Sequence, residues 1–211
     1  MEALNTYLPV LAMLAVSATS IGLLLIPNWR WAIIALAIQY AGVFLLIVND
    51  WPVTLALVKL IAGWMASAVI GLAISALPGE YRIGASTTQL NRRKSTGRIN
   101  LSNLVFRIFV TGFFALVIIA IAPTIDRIVP NLTPEQSYGA LFLIGFGILQ
   151  LCLTTEVITV ILGLLTTLSG FEVIYAVIES SSMVTALLAT ITLGIALVGA
   201  YMLSVSSVEA G

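Results

Sequence analysis

The chain has 211 residues, of which 60% are hydrophobic and only 9% are charged, and its nine basic and nine acidic residues leave no net charge. Soluble domains carry about a quarter charged residues, so this composition excludes an ordinary soluble domain and predicts an integral membrane protein. There is no histidine, and Cys152 is the only cysteine. This excludes an internal disulfide and the usual Cys- or His-ligated iron–sulfur, haem and zinc sites. We expect no cofactor, no metal and, without a basic field, no nucleic-acid partner.

Apolar runs along the chain predict an all-α fold, a polytopic membrane helix bundle of about seven transmembrane helices. A span needs about 20 apolar residues. Proline and polar residues separate the first runs, and we place Pro9 in the first turn of the first helix and the end of the fourth helix before Pro123. The first four helices are predicted at 7–26, 31–48, 53–77 and 104–121.

The long apolar segment 138–179 is predicted to form two spans. As a single helix it would be about 63 Å long, roughly twice the ~30 Å hydrocarbon core of a bilayer. The polar cluster nearest its middle is Thr154-Thr155-Glu156, where we expect a tight turn. The remaining two helices follow at 157–178 and 183–203.

A basic loop at 78–103 predicts the orientation in the membrane. Positive loops stay in the cytoplasm, so seven spans place the N-terminus outside and the C-terminus inside. Arg30 then falls inside and Asp50 outside, in agreement with the same rule. The basic residues of the loop, against the single acid Glu80, are Arg82, Arg92, Arg93, Lys94 and Arg98.

Glu172 is the strongest candidate site residue, since a carboxylate near the centre of a membrane helix costs roughly 2.5–3.5 kcal/mol on insertion scales. It is either a proton-path carboxylate or a hydrogen-bonded tie between helices. Glu179 follows seven residues later, on nearly the same helix face and about 10 Å away. It is a second proton-path candidate or simply an interfacial acid.

Lys59 is the third proton-path candidate. It lies within a predicted span at a depth similar to that of Glu172, so it carries protons itself, pairs with Glu172, or extends its ammonium to the headgroups. Gln39, Tyr40 and Gln150 are more typical of hydrogen bonds between helices. We predict no catalytic residue in this chain.

The C-terminal region resembles a known family of membrane subunits. The stretch 170–176, Gly-Phe-Glu-Val-Ile-Tyr-Ala, is similar to the Gly-x-Glu stretch of NuoK-like subunits, and 193–197, Leu-Gly-Ile-Ala-Leu, is similar to their last helix. The family includes NuoK of respiratory complex I, the E subunit of group 4 hydrogenases and the C subunit of multisubunit cation/proton antiporters. The resemblance divides the chain into an N-terminal four-helix membrane region, 1–137, and a NuoK-like three-helix region, 138–211.

The resemblance implies a non-redox membrane subunit of a complex I-related or hydrogenase-type proton-translocating complex in a prokaryotic plasma membrane. Such a subunit is not catalytic alone, and its partners are other membrane subunits, antiporter-like ones among them, and the lipid bilayer. Two features differ from the family. The turn at Thr154-Thr155-Glu156 lacks arginines, and Ile191 and Thr192 stand where a second carboxylate is expected. A purely structural membrane subunit and a small stand-alone transporter remain as alternatives.

Overall fold

The computed structural model describes residues 2–25, 28–48, 50–76, 99–154, 156–179 and 181–209, and within these ranges it contains helices and no strands. Each of the seven helices is long and apolar enough to cross a membrane, which confirms the predicted polytopic membrane bundle. The predicted basic loop lies mostly outside the described residues. The helices are α1 (Glu2–Leu25), α2 (Trp29–Ile47), α3 (Val53–Ala76), α4 (Ile99–Ile128), α5 (Pro134–Leu153), α6 (Val157–Ile178) and α7 (Ser182–Glu209).

The division of the long apolar segment is confirmed, because α5 ends at Leu153 and α6 begins at Val157. Two predictions about proline were wrong: Pro9 lies inside α1, which begins at Glu2, and Pro123 lies inside α4, which continues to Ile128. A proline removes one backbone hydrogen bond. Ending the helix within a bilayer would leave several backbone groups without partners, so continuing it is the smaller cost.

The helices form two stacked rows of three. The first row is α1, α2 and α3, and the second is α5, α6 and α7, with neighbours in each row in contact. Across the rows α1 packs on α5, α2 on α6 and α3 on α7, while α4 packs mainly on the outside of α5. The outward surface of α4 is apolar, with Phe109 and Leu116 about 70% exposed, as expected for a helix that faces lipid.

The bundle has two ends, which we call end A and end B. End A holds the α2–α3, α4–α5 and α6–α7 connections, and there the indole Nε1 of Trp51 donates to the Glu179 carbonyl at 3.2 Å. End B holds the α1–α2 and α5–α6 connections, the end of α3 and the start of α4. Near it, Gln150 Nε2 donates to the Leu23 carbonyl at 3.5 Å. Stacked helices therefore run in the same direction, so α1–α3 and α5–α7 are co-directional units although their sequences show no convincing repeat.

Gln136 connects the two rows at end A. Its side chain accepts a hydrogen bond from the backbone N–H of Thr133 at 3.1 Å, which completes a capping box at the start of α5. Its Nε2 donates to the Leu46 carbonyl at 2.8 Å and to the Asp50 carboxylate. One amide thus fixes the start of α5 against the end of α2.

Asp50→Asn should raise the melting temperature at neutral pH and leave it unchanged in acid. Partial desolvation at end A raises the pKa of the Asp50 carboxyl from its ordinary value of 3.8, although the hydrogen bond from Gln136 opposes this. The folded state therefore favours neutral Asp50, and this stabilisation is lost as the pH rises through the raised pKa. The measurement is the difference in melting temperature between variant and wild type, taken in detergent at a series of pH values from acid to neutral. Glu135→Gln, a half-buried acid in the first turn of α5, is the control. A difference independent of pH would contradict the prediction.

Candidate functional site

A buried ion pair joins two of the predicted site residues. Lys59 on α3 and Glu172 on α6 are 3% and 1% exposed, and the Lys59 ammonium donates to Oε1 of Glu172. Thr192 on α7 lies 3.5 Å from Lys59 Nζ as a second acceptor, while its own hydroxyl donates to the Leu188 carbonyl at 2.9 Å. Of the three alternatives for Lys59, the structure shows pairing with Glu172, and the ammonium does not extend to the headgroups.

Helix direction explains why these residues meet. Lys59 lies in the second turn of α3, which begins at end A, and Glu172 lies about 9 Å before α6 finishes at the same end. The long lysine side chain then spans the gap between α3 and α6. The two residues are 113 positions apart in the chain, so only the stacking of the rows brings them together.

Glu179 is placed away from this pair. It is exposed, and it follows the last residue of α6 with extended backbone angles of φ −147° and ψ 136°. Side chains seven residues apart lie on one helix face only if the helix continues through both positions. Glu179 lies just beyond the end of α6, so it does not share the face of Glu172. At end A its backbone carbonyl accepts the hydrogen bond from Trp51, a position typical of an interfacial acid.

A stripe of polar side chains continues from Glu172 toward end B. On α6, Thr166, Ser169 and Glu172 are spaced three residues apart and all are buried, which places them along one side of the helix. Gln39 Nε2 on α2 donates to Thr166 Oγ1 at 3.3 Å. This contact confirms the prediction of an interhelical hydrogen bond for Gln39.

Tyr40 also belongs to this stripe. Its ring packs directly against Gly63 of α3, where a Cβ atom would overlap the ring. Its hydroxyl lies beside Ser169, in electrostatic contact with Glu172. Sequence reasoning assigned no site role to Ser169, Thr166 or Thr192, because serine and threonine are common in membrane helices. Thr192 was noted only for standing where the resemblance implies a second carboxylate. The spacing of Thr166, Ser169 and Glu172 was the signal that could have found two of them.

Apolar clusters close the polar stripe at both ends. The end-A cluster contains Val43, Leu46, Ile47, Leu143, Val173 and Ala176. The end-B cluster contains Leu23, Leu36, Ile70, Leu162, Leu165 and Leu203. In such surroundings the attraction between Lys59 and Glu172 is strong, but so is the cost of removing both charges from water. Moving the shared proton from Lys59 to Glu172 leaves their summed charge unchanged, so proton transfer within the pair creates no net buried charge.

The fold and the site together define a polytopic membrane helix bundle with a buried, self-neutralised lysine–glutamate pair. Among the residues that the structure describes, no cluster of three acidic, cysteine or histidine side chains is positioned to hold a metal ion. Comparisons of the chain with protein-family models, curated proteins and solved structures found no match.

Proposed function

We propose that this chain is a non-redox membrane subunit of a proton-translocating complex, in which Lys59 and Glu172 form a protonatable step of the proton path. The observation that carries the proposal is their ion pair, buried at membrane depth between α3 and α6. The complex is of the complex I-related or hydrogenase type, as the resemblance of 170–176 and 193–197 to NuoK-like subunits implies. In this proposal the chain is not catalytic alone.

The energetics of buried charge support a functional pair. Replacing a buried ion pair by apolar side chains of similar size is often neutral or stabilising, by about 1–4 kcal/mol. Packing alone therefore does not require Lys59 and Glu172 here. Ionisable residues inside a membrane bundle typically belong to ion pathways or proton relays. A lysine and a glutamate that exchange a proton fit such a relay.

The second candidate function is a structural tie. The pair and Thr192 belong to α3, α6 and α7 of one chain, and the apolar clusters close off both ends of the stripe. These observations favour a fixed connection between the two rows. In that case the chain is a membrane subunit whose buried charges only orient its helices.

The charged residues at the bundle ends support an orientation with end B in the cytoplasm. The basic residues of 78–98 lie between α3 and α4, whose adjoining termini are at end B, and Arg30 lies at the start of α2 on the same end. Asp50, Glu135 and Glu179 lie at end A. By the positive-inside rule the N-terminus is outside and the C-terminus inside. The resemblance to NuoK-like subunits implies a prokaryotic plasma membrane. The proposed partners are antiporter-like and other membrane subunits.

The first experiment is gentle detergent extraction of the native assembly through a tag on this chain, followed by mass spectrometry of the co-purified proteins. Oxidoreductase subunits together with antiporter-like subunits are the expected result. A chain that purifies alone would overturn the subunit proposal. The remaining alternative would then be a stand-alone transporter, tested by proton flux into vesicles that contain only this chain.

Glu172→Gln in the reconstituted complex should reduce proton translocation about 100-fold or more, the scale of losing one positioned acid or base. Glutamine keeps the size of the side chain but cannot carry the proton. The rate of proton translocation per complex is measured with a pH-sensitive dye trapped in the vesicles. Glu179→Gln, the same substitution at the exposed end of α6, is the matched control and should retain the rate. An unchanged rate in Glu172→Gln, with normal assembly, would favour the structural tie.

A further inference from the structure

We infer that the polar stripe between α2 and α6 is a binding site for internal water, held by Gln39 Oε1, Tyr40 Oη and Glu172 Oε2. This inference concerns occupancy of the stripe and does not depend on proton movement through the protein. It assigns a ligand to two residues, Gln39 and Tyr40, that take no part in the ion pair.

The three oxygen atoms share one property. Within the part of the chain that the structure describes, they are the buried side-chain nitrogen and oxygen atoms that have no hydrogen-bond partner. Their residues are Gln39, Tyr40 and Glu172, which are at most 2% exposed. Buried polar atoms in folded proteins nearly always have a partner, either in the protein or in ordered water. An unpaired carboxylate oxygen is especially unfavourable in an apolar medium.

The three atoms belong to side chains that follow one another along the stripe, so we treat them as one site. Gln39 is fixed at the level of Thr166 by their hydrogen bond at 3.3 Å. Tyr40 lies beside Ser169, and Glu172 follows three residues later on α6. The stripe from Thr166 to Glu172 is about 9 Å long.

The chemistry of the stripe selects water over other small ligands. Glu172 Oε2 and Gln39 Oε1 only accept hydrogen bonds, so the ligand must donate to both of them. A halide ion cannot donate, and any other anion would add an uncompensated buried charge. A cation would add an uncompensated charge, because Lys59 already neutralises Glu172. Water donates two hydrogen bonds and accepts two more, and in buried sites it typically makes about three.

The apolar clusters at both ends make this water internal. Val173 and Ala176 separate Glu172 from end A, and Leu162 and Leu165 separate Thr166 from end B; all four are buried. Water bound between these clusters exchanges slowly with the solvent. It should therefore be ordered enough to observe.

The test is a crystal structure of the full chain in lipid at a resolution that orders water, together with infrared spectra in H₂¹⁶O and H₂¹⁸O. We expect water density within hydrogen-bonding distance of Tyr40 Oη and Glu172 Oε2, and an ¹⁸O-sensitive O–H band of internal water. Tyr40→Phe should remove or shift that band, while Tyr201→Phe, an exposed tyrosine of α7, should not. Absence of both density and band, or a direct hydrogen bond of Tyr40 Oη to Ser169 or Glu172, would overturn the inference.

Melting temperature provides a second measurement that does not require crystals. If water bridges Tyr40 to Glu172, Tyr40→Phe removes a partner of that water and should lower the melting temperature in detergent. If the stripe is dry and Tyr40 Oη has no protein partner, the same substitution removes an unpaired buried hydroxyl and should raise it. A rise, with Tyr201→Phe unchanged, would contradict the water site. The proton-translocation assay with Glu172→Gln is independent of this result, so the two proposals can fail separately.

Discussion

Lys59→Met should destabilise the folded protein by roughly 3–5 kcal/mol, since the Glu172 carboxylate is then buried without its counter-charge. Glu172 is 1% exposed and pairs with Lys59 through Oε1. Methionine fills most of the volume of the lysine stem but cannot donate a hydrogen bond. Thr192 already donates to the Leu188 carbonyl and offers no second charge. The free energy of unfolding is measured by denaturant titration in mixed micelles.

The double variant Lys59→Met/Glu172→Leu should recover most or all of the lost stability, because no unpaired charge remains in the core. The two single variants and the double variant form a thermodynamic cycle, and strong non-additivity is expected for side chains in direct contact. Val58→Met, at a neighbouring position of α3 that is 44% exposed, is the control and should change stability little. Additive effects at Lys59 and Glu172 would show that the two residues do not interact.

The double variant also separates the two candidate functions. A structural tie requires only a stable connection between α3 and α6, which apolar side chains supply. A proton path requires a group that binds and releases a proton. A complex that assembles with the double variant but does not translocate protons would support the proton path, and one that retains translocation would support the tie.

Gly147→Ala should destabilise the α5–α6 pair by about 1–3 kcal/mol, the usual cost of overpacking a core. A Cβ at Gly147 would lie 2.7 Å from the backbone nitrogen of Thr167 and 2.9 Å from the Gly163 carbonyl oxygen. Backbone atoms cannot rotate away as a side chain can, so the two helices must separate. Close approach through small residues is a common basis of helix packing in membranes.

Gly112→Ala is the matched control for this substitution. It lies in α4, where a Cβ would meet no atom within 4 Å, so alanine should be neutral or gain up to about 1 kcal/mol of helix propensity. Gly194→Ala on α7 is a second control with the same open surroundings. Equal effects at Gly147 and Gly112 on the free energy of unfolding would contradict the tight α5–α6 contact.

The membrane class and the number of spans could be predicted from the sequence, and the structure confirms both. The turn between Leu153 and Val157 was also predicted correctly. These features depend on local composition, because the thickness of the bilayer determines how long an apolar helix must be. The extent of α4 was not predictable in this way. From the local sequence, Pro123 predicts a helix end. Inside the membrane, however, no water is available to bind the free backbone groups of a helix end, which favours continuing the helix.

Only the tertiary structure decided how the polar side chains combine. The sequence left three interpretations of Lys59 open, and the stacking of the two rows pairs it with Glu172. The same stacking brought Gln39 to Thr166 and left Glu179 exposed at end A. In a membrane, nearly every helix face is apolar, so hydropathy does not indicate which faces meet. Helix pairing depends on small residues, side-chain shape and interhelical hydrogen bonds. Those contacts join residues more than 100 positions apart, and they exist only once the helices have assembled.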